Sequence, residues 1–393
     1  MKDLKRCTIF APNYNHIIME NPFIVTGKIK PEYFCDRAEE AQRLTRCILS
    51  GGENMVIISP RRLGKTGLIY HCFDKPEVHE QVTTLFVDIL RTSSLQEFTY
   101  LLGRVVFKTL GSRSQQMMKN IIDTLRSVRG SIGYDPIQGT PTFDLKLGDI
   151  TNPTYTLEEI FACLEQAEQH CIVAIDEFQQ IVNYPEKNIE ALLRTHIQQS
   201  SNVNFVFAGS ERHIMGEMFL DYARPFYQSA SIMTLAPISL DQYSAFIQHH
   251  FSANHLTVSP EAINQVYQQF QGNTYYIQKT FREAFSTSVE SGETCDKSMV
   301  DRIIGNMIRE SGHRYSETMA RLTLPQKEVL YAIADEGRAK RITSGQFIKR
   351  HRLLSASSVQ AAVRKLMEFG LVTTDNGEYY IEDQLFYHWI LES

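Results

Sequence analysis

No stretch of this sequence approaches the ~18 consecutive apolar residues of a membrane span, and the N-terminus has no long apolar core behind its charges. Neither a membrane anchor nor a secretory signal is expected. The seven cysteines are odd in number, form no C-x-x-C pair and are scattered from Cys7 to Cys295. Such spacing argues against a disulfide framework or a zinc ribbon and fits a reducing, cytoplasmic setting. Neither sign of charge is in large excess: 40 Lys and Arg stand against 45 Asp and Glu, a formal net charge of −5. A chain-wide attraction to nucleic acid is thereby excluded, and any basic surface must be local. There is no internal repeat, no low-complexity segment and no Ser-His-Asp or Cys-His arrangement. His213 and His249-His250 lack metal-ligand spacing and read as surface residues. The rest is ordinary: 393 residues, 43% hydrophobic and 22% charged, enough for two or three soluble domains with proper cores.

Against that background one segment stands out. Ser59-Pro60-Arg61-Arg62-Leu63-Gly64-Lys65-Thr66 nearly matches the phosphate-binding pattern G-x-x-x-x-G-K-[ST], with Ser59 in place of the first Gly. The apolar run Met55–Ile58 precedes it as a buried strand, and Gly67 onward reads as a helix. A strand, a tight loop and a helix N-terminus converge backbone N–H groups on an anion. Lys65 is expected to reach the β- and γ-phosphates, and Thr66 to hold Mg²⁺ through its hydroxyl. A second apolar run, Cys171–Ile175, ends in Asp176-Glu177. A carboxylate at the tip of a core strand needs a cationic partner. Asp176 is expected to meet the Mg²⁺, and Glu177 to act as general base on the attacking water. The alternative is a strand that exits to solvent at two acids.

Four strand-like runs (Met55–Ile58, Thr83–Asp88, Cys171–Asp176 and Val203–Phe207) alternate with helical segments, which predicts a mostly parallel α/β sheet. The helical segments are Ala38–Cys47, Leu95 to Leu125, Thr156 to His170 and Ile189–Gln199. Thr156 is expected to cap the third of these, with Glu159 closing a capping box. Asp88, at a strand end, reads as structural. Residues 129–153, rich in Gly, Pro, Asp and Thr, read as an inserted β-hairpin or flap. In one branch of P-loop ATPases, the strand following the acidic one lies between the two phosphate-site strands and its polar end senses the γ-phosphate. Ser210 takes that place here, or else simply caps a loop. Pro237 to Ala320 is helical, with Ser259-Pro-Glu as a cap. Then come helices from Pro325 to Ala334, Ser344 to Arg350 and Ser357 to Phe369, and a hairpin turning at Asp375-Asn376-Gly377. Three helices and a β-wing make a winged helix-turn-helix. The expected layout is a lead-in (1–20), a P-loop core (21–236), a helical lid (237–320) and a winged helix (321–393).

This order of parts resembles the archaeal-type ATPases of the signal-transduction NTPase (STAND) group, related to AAA-type ATPases. The resemblance runs from Asn21 onward. It rests on Phe34-Cys-Asp36-Arg37, the loop Ser59–Thr66, Ile175-Asp-Glu-Phe178, Gly209-Ser210, Arg224-Pro-Phe-Tyr227, Gly272-Asn-Thr-Tyr275 and the closing Tyr380-Ile-Glu-Asp383-Gln-Leu-Phe-Tyr-His-Trp389. It implies ATP rather than GTP, and no Asn-Lys-x-Asp guanine motif is present. In relatives the Asp-Arg motif lies near the adenine, which makes Phe34 and Arg37 candidates for base contacts. Two departures stand out: Ser59 for Gly, and Thr274 where relatives often carry Pro. Some relatives add a nuclease-like domain, and none is expected here.

The remaining cations leave alternatives open. Arg61 and Arg62 either touch phosphates, dock on neighbouring acids or bridge to another domain. Arg224, in a Pro-aromatic turn, is a better candidate than Arg194 for an arginine finger in cis or from a neighbouring copy. In the winged helix, Arg338, Lys340, Arg341, Lys349, Arg350, Arg352, Arg364 and Lys365 form a local basic excess, as phosphate contacts require. Ser357, Ser358, Gln360 and Arg364 would face a DNA groove. Alternatively the module packs on the ATPase or on a protein partner. The reading is an ATP- and Mg²⁺-dependent regulatory switch whose winged helix contacts DNA or protein. Its rivals are a ring-forming motor and a DNA-binding regulator that does not hydrolyse its nucleotide.

Overall fold

The computed structural model of the chain describes residues 20–128, 132–134, 141–143 and 145–392. The first half alternates helices and strands: α1 (Ala38–Ser50), β1 (Met55–Ile58), α2 (Lys65–Phe73), α3 (Pro76–Gln81), β2 (Thr83–Asp88), α4 (Leu95–Gly111) and α5 (Gln115–Thr124). The short antiparallel pair β3 (Ile132–Tyr134) and β4 (Pro141–Phe143) follows, within the segment expected to hold a hairpin. The rest of that hairpin and residues 1–19 of the lead-in lie outside the described residues. Next come α6 (Pro153–Glu165), β5 (Cys171–Asp176), α7 (Ile189–Gln199), β6 (Val203–Gly209), α8 (Arg212–Leu220) and β7 (Ser231–Thr234).

The long strands form one parallel sheet in the order β2-β5-β6-β1-β7. Four of the five were read from sequence. β7 was missed because Ser231–Thr234 is only partly buried at an edge and lacks a strong apolar run. Burial on both faces explains why the central strands read as continuous apolar runs. Val56, Ile58, Val173, Ile175, Phe205 and Phe207 pack on one side with α4, α6 and α7. Met55, Ile57, Ile172, Ala174, Val206 and Ala208 pack on the other with α1 and α2. That strict alternation sets both register and layer order.

The start of α6 differs from the expected capping box. Pro153 occupies the first turn and the Asn152 side chain accepts from the Tyr155 N–H at 3.2 Å, so Asn152 is the cap. Thr156 lies inside the helix. Glu159 instead accepts the N–H groups of Arg126 (2.8 Å) and Ser127, fastening the end of the α5 segment.

The second half is helical: α9 (Leu240–Ala253), α10 (Pro260–Gln269), α11 (Thr274–Ser291) and α12 (Lys297–Ala320). Ser259 caps α10 and Asn273 caps α11. The winged helix follows with α13 (Leu324–Glu336), β8 (Ala339–Lys340), α14 (Gly345–Arg350), α15 (Ala356–Glu368), β9 (Val372–Asp375), β10 (Glu378–Ile381) and α16 (Gln384–Glu392). Asn376 and Gly377 both have positive φ (51° and 76°), the conformation a tight two-residue hairpin needs. β8 and α16 were not anticipated. β8 is only two residues long, and α16 carries its apolar face within the closing motif Tyr380–Trp389. One hydrophobic core joins Phe23, the lid helices and the winged helix, from Tyr243 through Tyr276 and Met307 to Leu385 and Phe386. Lid and winged helix are therefore packed as one body. His250, expected at the surface, is buried in this core and packs edge-on against Phe246.

Candidate nucleotide-binding site

The loop after β1 turns into α2 at Gly64, whose φ of +92° no residue with a Cβ adopts comfortably. Ser59 tolerates its side chain because it is not in the left-handed region; its N–H donates to the Gly209 carbonyl at 3.3 Å. Lys65 is only 6% exposed. Its ammonium donates to the Ser59 and Pro60 carbonyls (3.1 and 3.4 Å) and touches no carboxylate among the described residues. Burial lowers its proton affinity, and the nearby charges of Glu177 and Asp176 partly restore it. A buried cation held only by carbonyl dipoles is an incomplete anion site.

Thr66, the second residue of α2, donates its hydroxyl to Asp176 Oδ2 at 2.6 Å. Burial raises the Asp176 pKa, with Thr66 opposing that shift. The sheet order brings this about: β6 lies between β1 and β5, so the ends of all three strands converge on the loop. Glu177 leaves β5 in the left-handed conformation (φ 56°), and its carboxylate folds back over the end of β6. There Ser210 Oγ and Gln179 Nε2 both donate to Glu177 Oε2 at 2.6 Å. Gln179, 2% exposed, was not anticipated; its only sequence signal was its place just after the acidic pair. Gly209 leaves it room, since a Cβ there would stand 2.6 Å from Gln179 Oε1.

On the other flank of α2, the Phe34 ring stacks on His71 with centroids 4.0 Å apart and planes 7° from parallel. A Cβ at Gly67 would lie 3.9 Å from the Phe34 ring, so the pair borders the helix N-terminus. Arg37 is buried, donating to the Leu63 carbonyl (3.2 Å) and to Glu40 (2.9 Å). In this state it braces the phosphate loop from behind.

A family model described as an ATPase domain predominantly from Archaea matches residues 34–280, more than half of the chain. The chain belongs to this family. A second model, a probable winged helix domain, matches residues 313–392. Among solved structures, a Walker-type ATPase of Pyrococcus abyssi is similar at a TM-score of 0.64 and 17% identity, with 94% of this chain and 99% of that one covered. The ORC2 protein of Aeropyrum pernix, in ADPNP and ADP complexes, gives 0.60 and 14%, covering 95% and 96%. The ORC1 protein of the same organism, in complex with DNA, gives 0.51 and 16%, covering 92% and 94%. At these identities the likeness establishes the fold. No curated protein matches the chain.

In this archaeal-type ATPase the two loop arginines find partners outside the phosphate loop. Arg61 Nε donates to Ser210 Oγ at 3.4 Å and lies 3.7 Å from Glu382 of the winged helix. Arg62 (φ 69°) donates to Tyr276 Oη at 2.6 Å, lies over the Tyr275 ring, and stands 3.8 Å from Asp383. Of the three roles open to them, docking on acids and bridging to another domain are the ones seen. Arg224 is ion-paired with Glu190 on α7. Arg194 is half-buried on α7.

The winged helix departs from expectation in its charge balance. Lys340 and Arg338 share Glu378, Arg350 pairs with Glu336 at 2.7 Å, and Lys365 pairs with Glu368 at 2.5 Å. Glu336 and Glu368 lie within the same stretch as the bases, and Glu378 lies just beyond it on β10. Arg341, Lys349, Arg352 and Arg364 are exposed and have no ion pair among the described residues. Ser357, Gln360 and Arg364 line one wall of a cleft of about 860 Å³ whose other wall is formed by Ser210, Glu211, His213 and Ile214. The candidate reading face of α15 thus looks toward the ATPase core. Arg212 at the start of α8 pairs with Asp375 on the wing at 2.8 Å, closing one side. No helix among the described residues is long and apolar enough to cross a membrane.

Proposed function

We propose that the chain is a Mg²⁺-dependent ATPase that works as a nucleotide-controlled switch, with its winged helix contacting DNA. The observation that carries the reading is the geometry around Asp176-Glu177: one carboxylate on the Thr66 hydroxyl, the next turned back onto Ser210. A passive nucleotide site has no use for the second acid.

Thr66 and Asp176 fit as the Mg²⁺ holders, since a hydroxyl and a buried carboxylate already lie 2.6 Å apart. When bound, the ion would neutralise charge on the β- and γ-phosphates. Lys65, short of a counter-charge, binds the phosphates and compensates the charge that develops on them. Glu177, whose carboxylate stands beside Ser210 at the end of β6, accepts a proton from the attacking water. Ser210 donates to Glu177 at rest and turns its hydroxyl to the γ-phosphate when ATP is present. Phe34 and His71 offer a ring face to the adenine.

The switch reading, which follows the signal-transduction branch of the resemblance, is supported by the bridge between loop and winged helix. Duplex reading requires α15 to enter a groove about 12 Å wide. Gln360 and Arg364 face the ATPase core across the cleft, so DNA engagement through this face calls for the lid and winged helix to part from the core. A ring-forming motor is less well supported, because Arg224 would first have to leave Glu190.

The test is ATP turnover by the full chain, with and without duplex DNA, beside Lys65→Ala and Glu177→Gln. Turnover raised by DNA and lost in both variants is expected. Turnover indifferent to DNA would move the winged helix to a protein partner. Absence of both turnover and nucleotide binding would remove the ATPase reading.

A further inference from the structure

A continuous polar chain leads from the metal couple to the winged helix. Thr66 donates to Asp176, the Glu177 N–H donates to Asp176 Oδ1 at 3.0 Å, and Ser210 donates to Glu177. Arg61 Nε donates to Ser210 Oγ and pairs with Glu382. Glu382 lies between β10 and α16, and its own N–H is fixed to the Leu371 carbonyl at 3.2 Å. Burial pushes its pKa up; Arg61 opposes the shift, while Glu211 and Glu177 add to it. Arg61, which stands 3.7 Å away, is the larger of two cations that favour a carboxylate there, Arg62 being the other. The loop and the winged helix also share the lining of a tight cleft of about 100 Å³, with Pro60, Arg61 and Leu63 on one side and Thr373, Tyr380 and Glu382 on the other.

We infer that Glu382 is a positioning residue of the nucleotide site, supplied by the winged helix, that holds Arg61 on Ser210 and away from the γ-phosphate until ATP arrives. The inference rests on the ATPase reading above. A γ-phosphate placed beside Ser210 competes with Glu382 for Arg61. Once Arg61 turns, Glu382 is left among Glu211 and Glu177, and the lid and winged helix lose a tie to the core. Because such coupling is reciprocal, weakening the Glu382 end must strengthen ATP binding. ADP lacks the competing group and gains nothing.

The experiment is calorimetric binding of ADPNP and of ADP, each with Mg²⁺, to the full chain, to Glu382→Gln, to Arg61→Ala and to the double variant. Glu382→Gln keeps shape and hydrogen-bonding capacity, and thermal melts establish that each variant folds. The expected result is a gain of about fivefold in ADPNP affinity for Glu382→Gln, the scale of one part-exposed ion pair, with ADP affinity unchanged. In the Arg61→Ala background the Glu382→Gln gain should vanish. Equal gains for ADPNP and ADP, no gain, or a gain that persists without Arg61 would overturn the inference and leave the ATPase reading intact. Failure of the unaltered chain to bind either nucleotide overturns both.

Discussion

The phosphate loop and the winged helix both gather cations, and they treat them in opposite ways. Lys65 is buried and, among the described residues, bonded to two main-chain carbonyls alone. In the winged helix, Lys340, Arg338, Arg350 and Lys365 are solvated and each is matched by an acid of the same module. A buried cation with no carboxylate in contact raises the free energy of the empty protein, which an anionic ligand relieves. An exposed ion pair contributes about 1 kcal/mol or less and implies no ligand. Counting basic residues therefore overstates the winged helix as a phosphate surface and understates the loop. The cations that still distinguish the winged helix are the unpaired ones, Arg341, Lys349, Arg352 and Arg364.

The most direct way to break this contrast is Lys65→Ala. It should remove nucleotide binding and lower turnover by about a thousandfold, the upper range for one charge-stabilising donor. The fold should persist, because the lost contacts are to carbonyls that water can reach once the side chain is gone. A variant that still binds ADPNP normally would show that the loop cation is structural. Glu177→Gln comes next. Turnover should fall about a hundred- to ten-thousandfold, the range for loss of a general base, while ADPNP affinity stays near that of the unaltered chain. Equal loss of binding and turnover would instead mean that Glu177 shapes the site through Ser210 and Gln179.

The contrast also explains what could be read from the sequence. The phosphate loop, the acidic strand end and four of five strands were legible because each is fixed by a few neighbouring residues: Gly64 by its φ, β1 and β5 by burial on both faces. The Asn376-Gly377 turn was legible for the same reason. The destinations of Arg61 and Arg62 were not. Nothing near the loop marks Glu382, Asp383 or Tyr276 as partners, since only the packing of lid and winged helix into one core brings them there. Gln179 escaped notice because an amide after an acidic pair has no motif of its own. The cap at Asn152 was missed where two local signals competed and Pro153 decided between them.

A smaller effect sharpens the winged-helix side. Arg364→Ala should weaken duplex DNA binding by about five- to tenfold at low salt and reduce the salt slope by about one, as for a single phosphate contact. Arg350→Ala, whose charge is already matched by Glu336, should do clearly less. Equal losses at the two positions would mean that pairing within the module does not decide which cations bind.

The smallest effect is expected at Asp176 in the absence of nucleotide. Burial raises its folded pKa above the unfolded value, so the folded state takes up more protons in that interval. Its contribution to stability is therefore greatest at low pH, falls as pH rises through the interval, and is a net cost once the carboxylate is charged at neutral pH. Asp176→Asn keeps an acceptor for the Thr66 hydroxyl and removes that charge. The melting temperature of the nucleotide-free variant at pH 7 should rise slightly, and the gain should shrink as the pH is lowered toward the carboxylate range. The same variant should lose the extra thermal stabilisation that Mg²⁺ adds to ADPNP, because Thr66 alone is a poor ligand for the ion. A gain in the empty protein paired with a loss in the loaded one would mark Asp176 as a residue kept for its ligand at the expense of the fold. A melting temperature that falls in both states would make it a structural acid, and the tip of β5 would then resemble the paired surface of the winged helix more than the buried site around Lys65.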